Sequence, residues 1–196
     1  GIYTYAEDHP DVVPGSDHPG ADLLKDTVGY NLGIPIDHYA LVNMAGFANV
    51  IDTLGGIQVR VTERIPIGGQ KSLDGTSILR YPHDYIEPGL YRNLTGRLTL
   101  WYSRSRFGST DYARMVRQRC VLGAVARQVD AQTGLAVVAS MSGPGGVLRT
   151  DISVTSWLAL AKLAERLKTA EIRGITLGPP LIDGTDPDWA LVRRAV

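Results

Sequence analysis

The sequence predicts an α/β fold, and three observations carry that prediction. Helix, strand, helix and strand patterns follow one another between residues 21 and 61, the alternation that builds mixed layers. With 44% hydrophobic and 20% charged residues, the composition is that of a globular chain. The length, 196 residues, suits one domain with a sizeable core better than two, so residues 1–196 are expected to form a single domain.

Taken in order, residues 1–19 are rich in Pro, Gly, Asp and His and read as an extended or looped segment. ADLLKDTVGYNL (21–32) has a helical period, with Leu24, Val28 and Leu32 on one face, Gly33 at its end and Pro35 beyond. HYALVN (38–43) alternates as a strand does. AGFANVIDTLGG (45–56) reads as a helix closed by Gly55-Gly56, and IQVRV (57–61) as a second alternating strand. Residues 62–92 hold Pro66, Gly68-Gly69, Gly75, Pro82, Pro88 and Gly89 and read as a long irregular stretch. Such loops are usually functional, which makes Tyr81, His83, Asp84 and Tyr85 candidates for a lid or acceptor surface. Leu94–Tyr102 reads as a helix and SRSRF as extended or turning. Ser109 or Thr110 caps the clearest helix of the chain, which runs to about Gln128. A loop at 141–146, an amphipathic helix at 154–170 and a strand starting at 171 follow. A terminal helix over 186–196 has an acidic start and a basic end, matching the helix dipole.

Several function classes are excluded on composition. Lys+Arg and Asp+Glu are 20 each, so the chain lacks the net basic charge that bulk binding to nucleic acid or anionic lipid uses. No apolar run approaches the roughly 20 residues of a membrane helix. The chain opens GIYTYAEDHP, without a leader pattern or an initiator Met, and is expected to be a piece of a longer protein. The single cysteine, Cys120, forms no internal disulfide and is expected to be buried and inert. The four histidines and this cysteine show no zinc spacing.

Of the 20 basic residues 16 are Arg, and seven of these fall between Tyr91 and Arg119: Arg92, Arg97, Arg104, Arg106, Arg114, Arg117 and Arg119. Asp111 is the one acid in that stretch. A solvated basic surface is the plain explanation for such a run. The helix period argues for more. If the apolar stripe is Met115, Val121, Leu122, Val125 and Val129, then Asp111, Arg114 and Gln118 lie on its continuation. Polar groups placed along a core stripe are costly unless they are paired or bind something. Arg104 and Arg106 are two apart and, if extended, share a side. The following helix N-terminus also favours anions. These groups fit a pocket for a phosphate or diphosphate attached to an apolar moiety. An internal salt-bridge network is the alternative, but one acid cannot neutralise several arginines.

LTLWYSRSRFGSTDYARMVRQRCVLGAVARQ (98–128) resembles the signature of the LytR–CpsA–Psr family: an apolar run, Tyr-x-Arg-x-Arg, Asp-x-x-Arg and an Arg-Gln pair leading into an apolar helix. IPIDHYALVNMAGFANVIDTLGGIQVRV (34–61), GADLLKDTVGYNLG (20–33) and YIEPGLYRNLTG (85–96) are similar to the stretches that precede it. The likeness is strong over residues 1–130, weak beyond, and of the actinobacterial type. It implies an α/β/α sandwich with a central mixed sheet flanked by helices. It also implies an extracytoplasmic, membrane-anchored phosphotransferase that moves a glycopolymer such as arabinogalactan or teichoic acid from a polyprenyl-diphosphate carrier to peptidoglycan. By motif, Arg104, Arg106, Arg114 and Gln118 would contact the diphosphate, Asp111 would orient an arginine, and Arg104, Arg106, Asp111 and Arg114 would form the catalytic set. The resemblance further implies Mg2+ at the diphosphate. Its ligands are expected mainly from a segment, carrying an Arg-x-Asp type motif, that precedes the first residue here.

Two other functions compete. One is a non-catalytic polyprenyl-phosphate or anion-binding module. The other, nucleic-acid binding through Arg114, Arg117 and Arg119, is disfavoured by the zero net charge. Trp101, Trp157 and Trp189 are expected in packing, and the histidines at the surface or at caps.

Overall fold

The computed structural model describes residues 1–72, 76–130, 133, 134, 136, 137, 139, 148–153, 155, 156, 159, 174, 175, 177, 178, 182 and 187–196. The chain divides into two compact units: 1–40 with 150–152 and 173–196, and 41–149 with 153–172. The mixed α/β class of the sequence is the class observed, with helices and small sheets. Among the described residues the strands pair two by two, as three ladders. The loop read at 141–146, Trp157, and most of the helix read at 154–170 and of the strand that follows lie outside the described residues.

In the first unit, α1 (Ile2–Asp8) and a 3-10 turn (Pro10–Val12) occupy the segment read as loop. The reason for α1 is tertiary. Ala6 is fully buried, α1 and α2 are in contact, and the Glu7 carboxylate accepts from the Gly20 amide at 3.1 Å. A Cβ on Gly20 would lie 2.6 Å from the Tyr3 carbonyl oxygen, so the glycine permits the approach. Helix α2 (Pro19–Leu32) begins with proline and ends at Gly33, whose φ of 73° closes it in the left-handed region. Its expected inner face is not covered: Leu24 and Val28 are exposed. The last helix, α6 (Trp189–Ala195), is capped by Asp188, which accepts from the Leu191 amide at 2.9 Å. Arg193 of α6 donates to the Tyr30 carbonyl near the end of α2.

In the second unit, Asn43 caps α3 (Met44–Thr53) by accepting from the Gly46 amide. Strand β2 (Ile57–Val61) buries alternate residues and pairs antiparallel with β5 (Gly89–Leu94). Strands β3 (Ile65–Lys71) and β4 (Ile78–Ile86) form an antiparallel hairpin where an irregular stretch was expected. The breakers that hid it are accommodated by bulges. The register slips between Ile67 and Gly68, and Gly68 and Gly69 take φ of 78° and 83°, which β-branched residues avoid. Ile51, Ile57, Ile67 and Leu94 are fully buried at the centre of the core, each contributing about 1.5–3 kcal/mol by removal from water. Helix α4 (Gly96–Arg104) approaches α3 so closely that a Cβ on Gly96 would collide with the Ala48 carbonyl. The Gly96 amide donates to Asp52 at 2.7 Å. Helix α5 (Asp111–Gln128) carries Val121 and Ala124 into the core. A short ladder joins β1 (Ala40–Val42) to β6 (Leu148–Thr150).

Candidate anion-binding site

The site lies in the second unit, where α4 ends, the chain turns, and α5 begins. Ser105 closes α4, its amide bonding the Trp101 carbonyl at 2.9 Å. Gly108, with φ of 70°, allows the turn. Thr110 caps α5 by accepting from the Ala113 amide at 3.1 Å. The turn rests on the bulged part of β3: the Ser105 hydroxyl donates to the Pro66 carbonyl at 2.8 Å. A Cβ on Gly69 would lie 2.7 Å from the Phe107 ring, so glycine there gives the ring its place.

Between the turn and β3 opens a cavity of about 620 Å3 lined by Lys71, Trp101, Arg104, Arg106, Phe107 and Asp111, with Gly68, Gly69, Ser72, Ser105 and Ser109. Three cations therefore face one carboxylate, and two aromatic rings supply apolar wall. Arg104 lies over the Trp101 ring, 5.2 Å from its centroid, and its Nη1 is 3.0 Å from the Met44 sulfur. Neither contact neutralises its charge. Lys71 lies over the Phe107 ring at 5.7 Å. Arg106 meets Asp111 at 3.0 Å. That pair is open to water, with side chains 64% and 52% exposed, so it is worth at most about 1 kcal/mol and an anion of higher charge can displace it.

Arg104, Arg106 and Asp111 are thus brought together as the sequence suggested, though by a helix end and a turn, not by an extended segment. Arg114 is adjacent, its Nη2 3.6 Å from Asp111, but it does not line the cavity. Its Nε is buried with no hydrogen-bond partner among the described residues. Gln118 is at the surface and also outside the cavity lining. The expected stripe on α5 is corrected in phase. The helix buries Arg117, Val121 and Ala124, and Leu122 is 67% exposed. Arg117 can occupy the core face because each nitrogen of its guanidinium is hydrogen-bonded, and this turns Asp111 and Gln118 outward. The side chains missed in the sequence are Lys71 and Phe107, and Arg117 behind them. Trp101, assigned to packing, both packs against the core and lines the cavity. Cys120, expected in the interior, is exposed. It lies against Tyr102, whose phenol is pushed above its usual pKa by burial first and by Cys120 second.

The site is a cationic cavity with aromatic walls on an α/β frame. The model of the LytR–CpsA–Psr family matches residues 3–183, and the chain belongs to that family. It is 30% identical over 162 residues to the polyisoprenyl-teichoic acid–peptidoglycan teichoic acid transferase TagU of Halalkalibacterium halodurans, covering 79% of this chain and 49% of that protein. It is 29% identical over 179 residues to the corresponding transferase TagV of Bacillus subtilis, covering 86% of this chain and 44% of that protein. The crystal structure of B. subtilis TagV superposes with a TM-score of 0.60 at 26% identity, covering 92% of this chain and 67% of that one. The chain spans about half the length, or less, of the curated relatives it matches.

Proposed function

We propose that this chain carries the anion-binding half of a cell-wall glycopolymer transferase, and that the cavity at the α4–α5 turn takes the diphosphate of a polyprenyl-diphosphate-linked polymer. The longer protein would transfer that polymer to peptidoglycan as a phosphodiester. The observation that carries this reading is the charge imbalance of the cavity: Lys71, Arg104 and Arg106 against Asp111. The names of the relatives, which act on polyisoprenyl-linked teichoic acid and peptidoglycan, support the substrate class.

The chemistry follows from electrostatics. Attack of an acceptor hydroxyl on the polymer-side phosphorus builds charge on its oxygens and on the polyprenyl monophosphate that leaves as the P–O–P bond breaks. Cations already fixed in place stabilise that charge more than the ground state, because they need not reorganise. In this reading Arg104 and Arg106 hold the phosphates, Lys71 neutralises from the strand side, and Trp101 and Phe107 border the start of the prenyl chain. Asp111 keeps Arg106 oriented while the site is free. Magnesium, expected from the resemblance, needs several oxygen ligands. The cavity offers one carboxylate, and no group of three or more His, Cys, Asp or Glu side chains comes together among the described residues. These residues do not fit the ion by themselves, and the proposed chemistry runs through the cations alone. Among the described residues no helix is long and apolar enough to cross a membrane. An extracytoplasmic, membrane-anchored location is proposed for the longer protein on the resemblance.

The test is calorimetric titration with farnesyl diphosphate, with and without magnesium, on the chain and on Arg104→Ala. The reading expects binding by the chain and at least tenfold loss in the variant, since Arg104 lines the cavity. Binding without turnover would favour the non-catalytic module. Silence from both this chain and a protein extended at its N-terminus would remove the carrier lipid as substrate.

A further inference from the structure

Arg117 is 4% exposed, and a guanidinium in that position is tolerated only when its donors are bonded. Its bonds go to a telling set of partners. Nε donates to the Tyr102 carbonyl at 2.8 Å and Nη2 to the Ser105 carbonyl at 2.5 Å. Nη1 donates to the Ser109 hydroxyl at 3.2 Å and to Glu63 at 3.1 Å. The acceptors at 102, 105 and 109 straddle Arg104 and Arg106. Tyr102 belongs to the last turn of α4, whose carbonyls the helix itself leaves unbonded. The guanidinium therefore caps α4 from the side and ties its end to the turn. Glu63, just after β2, is 59% exposed, so its pair with Arg117 adds anchorage more than energy.

We propose that Arg117 is a positioning residue: its planar fork fixes where α4 ends and how the turn leaves it, and so aims Arg104 and Arg106 into the cavity without itself touching the ligand. The inference rests on the diphosphate reading above. It requires geometry and not merely charge, because the donors must reach two backbone carbonyls at once, which a lysine's single ammonium does not reproduce.

The test combines two measurements on the whole chain. Backbone amide exchange follows residues 104–109, and farnesyl diphosphate titration follows affinity, in Arg117→Lys, Arg117→Gln and Ser109→Ala. Ser109→Ala removes one bond at the mouth of the turn and leaves the melting temperature near wild type, so it remains informative if Arg117→Gln fails to fold. Arg117→Lys is expected to lose about tenfold in affinity and Ser109→Ala, which gives up a single hydrogen bond, about threefold. Faster exchange of the Ser109 amide, which bonds the Arg106 carbonyl at 3.2 Å, should accompany both losses. Full affinity in Arg117→Lys would mean that charge alone matters and would overturn the proposal, as would unchanged exchange at Ser109 in every variant. If wild type shows no affinity for farnesyl diphosphate, the ligand reading fails and takes the binding role of Arg117 with it. The exchange data would then show separately whether Arg117 holds the turn.

Discussion

Each unit of the molecule holds a cluster of charges, and the two are built differently. In the first, Lys25 sits between Asp22 and Asp151, 3.0 Å from each. Every member has further partners: Ser16 donates to Asp22 at 2.6 Å and the Tyr39 amide to Asp151 at 2.9 Å. The Ser16 hydroxyl, then Lys25, holds the Asp22 carboxyl below its usual pKa. Burial pushes Asp151 up, but the Tyr39 amide and Lys25 outweigh it and the net direction is down. Asp22, then Asp151, raises Lys25. This cluster is closed, with acids in excess and each acid bonded. In the second unit cations outnumber acid, the one ion pair lining the cavity is exposed, and Arg104 leans on an aromatic ring and a sulfur atom. Under the proposed function the open cluster, with its unspent positive charge, takes the anion, while the closed one holds chain segments together.

The largest expected effect comes from the open cluster. Arg104→Ala or Arg106→Ala in the full-length protein should cost about 2–4 kcal/mol of transition-state stabilisation, read as a fall in polymer transfer, with the melting temperature unchanged. Unfolding of these variants would make the arginines structural and erase the distinction between the clusters. Asp111→Asn should act in the opposite sense, tightening farnesyl diphosphate binding several-fold by releasing Arg106, an exposed pair of this kind being worth about 0.2–1 kcal/mol. Weaker binding would show that Asp111 orients more than it competes. The smallest effect belongs to the closed cluster. Asp151→Asn should lower stability by less than about 1 kcal/mol and leave ligand binding alone. The pH dependence follows from the direction of the shifts. Asp22 and Asp151 have folded pKa values below the ordinary aspartate value of 3.8, so their contribution is present above that value and is lost as pH falls through the folded pKa. Lys25, raised above 10.5, contributes below that value and loses its contribution as pH rises through the folded pKa. Acid melting curves of wild type and Asp151→Asn should converge at low pH.

Much of the fold is legible in the sequence where local signals agree. Helix α2 with Gly33, β2 with its strict alternation, and α5 behind Thr110 all combine a period with a cap. Helix α1 escapes because its reason is contact with Gly20, not its own composition. The β3–β4 hairpin escapes because Pro66, Pro82 and Gly68-Gly69 read as breakers, whereas the bulge uses the glycines and Pro82 lies opposite Gly68. In the site, Arg104, Arg106 and Asp111 announce themselves by charge imbalance. Lys71 and Phe107 do not, since only the hairpin brings them in. The phase of α5 is misread because a leucine is taken for core and an arginine for surface. Here each guanidinium nitrogen of the arginine is hydrogen-bonded and the leucine is left at the surface, which no residue-by-residue scale anticipates.

The most direct test is a crystal structure of this chain soaked with farnesyl thiolodiphosphate, with anomalous scattering used to find the sulfur. The account predicts the diphosphate in the cavity, its oxygens within hydrogen-bonding distance of Arg104 and Arg106, and the sulfur toward Trp101 and Phe107. A diphosphate bound away from these arginines, or density absent from the cavity at saturating ligand, would contradict it.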